Sequence, residues 1–141
     1  MQGYNVIMVY DNTTEKLLMC KRLRDPYKNL SNLVGGKIEA GETGMEAAYR
    51  ELHEETNIGG DDIELHHLMD FTYHVEGVYV EVYVGRLKRE VEVSGDENVL
   101  YWSALDNNFF DKLVYAGEGN IGHMIEQVNI SKDKLWMDED S

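Results

Sequence analysis

The chain has 141 residues, and its 13 basic and 27 acidic side chains give a formal charge of −14. At 43% hydrophobic and 28% charged residues it has the composition of a chain that folds around a core, which excludes a disordered or fibrous class. A surface this acidic repels a nucleic-acid backbone, and no run of about 18 uncharged apolar residues offers a membrane helix. Met1-Gln2-Gly3-Tyr4 lacks the basic-then-apolar order of a secretory signal, and the lone Cys20 cannot form an internal disulfide. Both fit a reducing, cytoplasmic setting. Without a repeat, a low-complexity stretch or a Pro/Ser-rich linker, one domain is expected over 1–135, followed by an acidic tail over 136–141.

In chain order, strands are expected at Tyr4–Tyr10 and Lys16–Leu23, then a helix at Thr43–Thr56. Further strands follow at His66–His74, Val78–Lys88 and Val99–Trp102, and a second helix begins near Asn120 and runs to about Val128. The pattern is clearest where Val78, Val80, Val82 and Val84 alternate with Tyr79, Glu81, Tyr83 and Gly85, the period of a half-buried strand. Thr43 with Glu46 three residues on is a capping-box pattern. Long strands with two separated helices argue for an α/β layer sandwich. Cys20, in the apolar run Leu17-Leu18-Met19-Cys20, reads as an inert core thiol.

The chemistry concentrates around the first helix. At about 100° per residue, Met45, Ala48, Tyr49 and Leu52 form an apolar stripe that should face the core. Glu51, Glu54 and Glu55, at i, i+3 and i+4, form an arc beside it, and Ala47 in the same arc leaves space above the carboxylates. Like charges at this spacing destabilise a helix by about 0.2–0.5 kcal/mol per pair. A solvated acidic face is one reading, but it calls for compensating bases, and Arg50 is the only Lys or Arg in the helix. A site for a hard divalent cation such as Mg²⁺ also accounts for the two glycines and acidic turn just before the helix. Neither His66 nor His67 is read as a ligand, because neighbouring strand residues point to opposite faces.

Gly36, Glu42, Arg50, Glu51, Leu52, Glu54, Glu55 and Ile58 resemble the box of the Nudix hydrolases, G-x5-E-x7-R-E-U-x-E-E-x-G-U with U a bulky aliphatic. Only Asn57 departs, standing where the pattern has glycine, and asparagine is the next best residue for a left-handed helix cap. The resemblance implies an α/β/α sandwich with a mixed sheet, Mg²⁺ (or Mn²⁺) as cofactor, and hydrolysis of a nucleotide-type diphosphate bond in a small-molecule substrate. It also implies residue roles. Glu51, Glu54 and Glu55 would be metal ligands, with the Gly35 carbonyl a further one, while Gly36, Glu42 and Arg50 would brace the loop–helix junction. The base that activates water would be Glu54 or Glu97, and Glu97 sits in the turn-rich Ser94-Gly95-Asp96-Glu97-Asn98, where it could also help bind metal. Arg22, in the basic run Lys21–Arg24, and Lys37 are candidates for phosphate contacts.

For the substrate, Asn32 before Leu33-Val34-Gly35-Gly36-Lys37 resembles the oxidised-purine triphosphatases of the MutT group, where that asparagine reads the base. Asp111, Tyr115, Glu118 and Asn120 fall in the matching second base-contacting region, where the resemblance makes Glu118 and Asn120 the candidates for reading the base. ADP-ribose members usually carry a proline some 16 residues beyond the box; here no proline follows Pro26. Tyr73 near that position resembles the dinucleoside polyphosphate type. A nucleoside triphosphate cleaved to monophosphate and pyrophosphate is therefore expected. The alternatives are a dinucleoside polyphosphate, ADP-ribose or a nucleotide sugar, or a non-catalytic Nudix domain that only binds its ligand.

Overall fold

The computed structural model describes residues 1–95 and 98–136. Strand β1 (Gln2–Tyr10) is the axis of a seven-stranded mixed sheet. It runs parallel to β6 (Val78–Arg86), in register from Gln2↔Val78 to Tyr10↔Arg86. Its other edge is shared: β4 (Val34–Lys37) pairs antiparallel along Tyr4–Ile7, and β2 (Lys16–Lys21) pairs at Tyr10↔Leu17. β2 also carries β7 (Val99–Ala104) and the two-residue β3 (Ser31–Asn32), and β5 (His66–Tyr73) flanks β6. Helices α1 (Gly44–Thr56) and α2 (Asn120–Leu135) complete the chain.

Because strand side chains alternate, the apolar runs of β1, β2 and β6 supply both faces of the sheet. Met8, Tyr10, Leu17, Met19, Val82 and Val84 pack with Ile121, Met124, Ile125 and Val128 of α2. Ile7, Val9, Leu18, Cys20 and Tyr83 pack instead with Ala48 and Leu52 of α1. The sheet is thus held between one helix on each face, the sandwich expected from the sequence. Each fully buried Leu, Ile or Val contributes about 1.5–3 kcal/mol. Burial also pushes the Cys20 thiol up to about 11, consistent with an inert core thiol.

Thr43 caps α1 with both capping-box hydrogen bonds in place, and Asn57 ends it at φ 67° while donating its N–H to the His53 carbonyl. The left-handed cap that glycine usually supplies is made here by asparagine. Three features depart from the sequence reading. β3 and β4 are strands in a stretch where the sequence reading places none. They are too short and too glycine-rich to show a period of their own, and they exist because β1 and β2 offer free edges. Trp136, assigned to the tail, is buried with its ring edge-on to Tyr10 at 6.1 Å and the Arg86 guanidinium 5.3 Å above it. α2 accordingly continues past Val128 to Leu135, and residues 137–141 lie outside the described residues. Ala47 is fully buried, so its small side chain lets α1 seat closely and does not open space above the carboxylates.

Candidate active site

With Ala48 and Leu52 sunk into the core, α1 presents its next face to the glycine strand β4. Gly35 sits at φ +153°, and a Cβ there would collide with the backbone carbonyl of Asn5. Gly36 serves a different purpose. A Cβ on it would lie 2.6 Å from either carboxylate oxygen of Glu51, so its bare Cα makes the space that side chain occupies. Glu55 reaches the same strand, its Oε2 accepting the Gly35 N–H at 2.8 Å.

Arg50 organises the remaining carboxylates. Its Nε and one terminal nitrogen form a two-pronged bond to Glu42, at 3.0 and 2.6 Å, and that same nitrogen also reaches the Lys37 carbonyl at 3.1 Å. The other terminal nitrogen donates to Glu51 at 3.0 Å and to Glu54 at 3.3 Å. Glu42 in turn accepts the Glu39 N–H at 2.8 Å, which closes the turn ahead of the helix. The Arg50 hydrogen bond, helped by the Glu39 N–H, holds the Glu42 carboxyl down to about 2. A folded-state value below the unfolded one stabilises the protein above the unfolded value near 4.5, and this contribution is lost as pH falls towards 2. In acid-unfolding titrations Glu42→Gln should therefore be less stable than wild type at neutral pH, with the gap closing through that window. A constant gap would show that Arg50 does not act on the Glu42 charge.

These groups line one cleft of about 890 Å³, bounded by Arg22, Leu23, Arg24, Gly35, Gly36, Lys37, Glu39, Arg50, Glu51, Glu54, Glu55 and Asn98. The carboxylates of α1 share it with Arg22 and Arg24 of the loop that follows β2. Within it Glu54 is 58% exposed and Glu51 only 15%. Arg22 is positioned by its Nε bond to the Pro26 carbonyl, and the Asn98 side chain accepts the Leu23 N–H. Asp96 and Glu97 lie outside the described residues. A second pocket of about 310 Å³ is lined by Tyr27, Phe71, Thr72, Tyr73, Gly117, Glu118 and Asn120, where Asn120 donates to the Tyr73 hydroxyl at 2.6 Å. Asn32 lines neither space; its Oδ1 accepts the Leu33 N–H at 2.8 Å. The structure thus brings Glu118 and Asn120 together but leaves Asn32 apart. Tyr115 is buried beside Phe109 in the α2 core.

The family model described as the NUDIX domain matches residues 1–115, most of the chain. The protein belongs to the Nudix family. It is a Nudix hydrolase family enzyme, whose box is the loop, helix and cap just described. No curated protein matches by sequence. Among solved structures, a C. elegans Ap4A hydrolase complex is similar at 18% identity and TM-score 0.73, covering 92% of this chain and 96% of that one. A MutT structure from work on Aliivibrio salmonicida and Vibrio cholerae matches at 18% identity and TM-score 0.71, covering 91% and 97%. A MutT/nudix family protein from Enterococcus faecalis matches at 23% and TM-score 0.60, covering 72% of this chain but only 42% of that one. These likenesses establish the shared fold. In this Nudix enzyme Arg24, Leu23 and Asn98 join the cleft without having been singled out from the sequence. Arg24 stood in the same basic run as Arg22. Asn98 carried no signal, being one more polar residue of a turn.

Proposed function

We propose that this Nudix enzyme hydrolyses a nucleoside triphosphate to monophosphate and pyrophosphate with a divalent metal, Mg²⁺ or Mn²⁺, held by Glu51, Glu54 and Glu55. The observation that carries the reading is the cleft that sets these three carboxylates against Arg22, Arg24 and Lys37. Among the described residues no three acidic, histidine or cysteine side chains already converge on one point. Glu51 and Glu54 turn to Arg50, and Glu55 to the Gly35 N–H. The donors still fit a hard cation, since all are carboxylate oxygens on one helix face opening into one space, with the Gly35 carbonyl a further candidate. Such an ion, when bound, neutralises phosphate oxygens and favours attack by water.

The chain's own residues supply the remainder. Arg22 and Lys37, with Arg24, bind phosphate oxygens. Glu54, the most exposed of the three glutamates, accepts a proton from the attacking water, with Glu97 the alternative base. The water oxygen bonds to phosphorus as the bridging P–O bond breaks. Gly36, Glu42 and Arg50 hold the strand–helix junction that aims these groups. For the base, the pocket of Tyr27, Phe71 and Tyr73 offers aromatic faces, with Glu118 and Asn120 as polar readers. This is the MutT-type reading, reached without Asn32. The loop between β2 and β3 links the two spaces, giving Arg22, Leu23 and Arg24 to the cleft and Tyr27 to the pocket.

A second reading, a dinucleoside polyphosphate, is favoured by the exposed Tyr73 ring in that pocket. The 18% likenesses to a MutT and to an Ap4A hydrolase separate neither. The test is a substrate panel with product analysis: 8-oxo-dGTP, ordinary dNTPs, diadenosine polyphosphates, ADP-ribose and a nucleotide sugar, with and without EDTA. A triphosphate should be turned over best, EDTA should abolish turnover and Mg²⁺ should restore it. Metal at 100 times its Kd should add about 2.7 kcal/mol of stability and raise Tm. Tyr73→Ala should raise KM by removing a stacking contact of about 1–3 kcal/mol while leaving kcat in place. Preference for a diadenosine polyphosphate would replace the first reading by the second. Full activity in EDTA would remove the metal reading, and tight binding without hydrolysis would leave a ligand-binding domain.

A further inference from the structure

Asn5 lies on β1 with only 2% of its surface exposed, among strand residues that are otherwise apolar on the α1 face. A carboxamide buried there costs free energy unless each polar atom is bonded. Its Oδ1 accepts the Gly36 N–H at 3.1 Å, but its Nδ2 has no partner, one of two such buried side-chain atoms among the described residues. The orientation follows from chemistry, since a backbone N–H can only face the carboxamide oxygen. Asn5 and Gly36 stand directly opposite in the β1–β4 ladder, and Gly36 is the residue whose missing Cβ admits the Glu51 carboxylate. An apolar side chain here would avoid the unpartnered Nδ2 but would take the acceptor from the Gly36 N–H, so what the asparagine supplies at this place is that one hydrogen bond.

We infer that Asn5 is a positioning residue for the carboxylate wall: its buried oxygen fixes the Gly36 amide, and through it the space in which Glu51 sits. It touches neither substrate nor reacting atoms. The inference rests on the reading of Glu51 as a metal ligand. Groups that orient a ligand from behind typically affect metal affinity or activity by about 10–100-fold.

The test uses Asn5→Leu, which keeps the branched shape and removes the acceptor of the Gly36 N–H, and Asn5→Asp, which keeps an acceptor for it. Mn²⁺ binding is measured by electron paramagnetic resonance on the full chain, beside thermal melting and steady-state kinetics. Asn5→Leu should remain folded, yet per folded molecule bind Mn²⁺ about 10–100-fold more weakly and lose kcat more than KM. Asn5→Asp should recover more of the Mn²⁺ affinity than Asn5→Leu. Unchanged Mn²⁺ binding in Asn5→Leu, or a loss of stability with intact binding, would overturn the inference. Glu51→Gln is the control: if it leaves Mn²⁺ binding intact, the metal reading itself fails. If it alone weakens binding, only the role of Asn5 fails.

Discussion

Glu54→Gln is expected to fold like the wild type and to turn over substrate about 10²–10⁴-fold more slowly. The side chain is 58% exposed, and its one described ion pair is with Arg50, at 3.3 Å the longest that this arginine makes to a carboxylate. An exposed pair of this kind is worth at most about 1 kcal/mol, so melting should barely move. The isosteric amide keeps the shape but can neither accept a proton from water nor offer a charged oxygen to a cation. Single-turnover kinetics beside a melting curve separate the two effects. A kcat within threefold of wild type would remove Glu54 from the reaction and leave Glu97 as the base to test. A large loss of stability would mean that the carboxylate face is structural.

The paired glycines should divide in the opposite way. Gly36→Ala places a methyl where the Glu51 carboxylate lies, and a side-chain end moves aside at low cost. Stability should therefore be nearly retained while activity falls by at least tenfold, because Glu51 is driven off its place. Gly35→Ala meets backbone instead, at the Asn5 carbonyl and the Val6 Cα, and φ +153° itself costs an L-residue about 1–3 kcal/mol. That variant should lose Tm first, and its activity should follow its folded fraction. Equal behaviour of the two variants, in melting and in activity per folded molecule, would show that β4 yields as a unit and that the space at Gly36 is not specific to Glu51.

Much of the site was legible in the sequence because it is local. A helix converts spacing directly into a face, so Glu51, Glu54 and Glu55 at i, i+3 and i+4 had to project together beside the stripe of Ala48 and Leu52. Thr43, Glu46 and Asn57 marked the helix ends by the hydrogen bonds their side chains and backbone can make. The alternation along β6 showed its strand for the same reason. Other features depended on partners far along the chain. β3 and β4 have no periodicity and are strands only because β1 and β2 present unpaired edges to them. Trp136 read as part of a tail from its acidic neighbours, but its place is set by Tyr10 and Arg86. Tyr27, Phe71, Tyr73 and Asn120 surround one pocket from three separate segments, while Asn32, just ahead of the box, is turned to the neighbouring Leu33 N–H. Asn5 carries no local signal, being one polar residue in an apolar strand. Its bond to Gly36 spans 31 positions, and only pairing of β1 with β4 closes that distance.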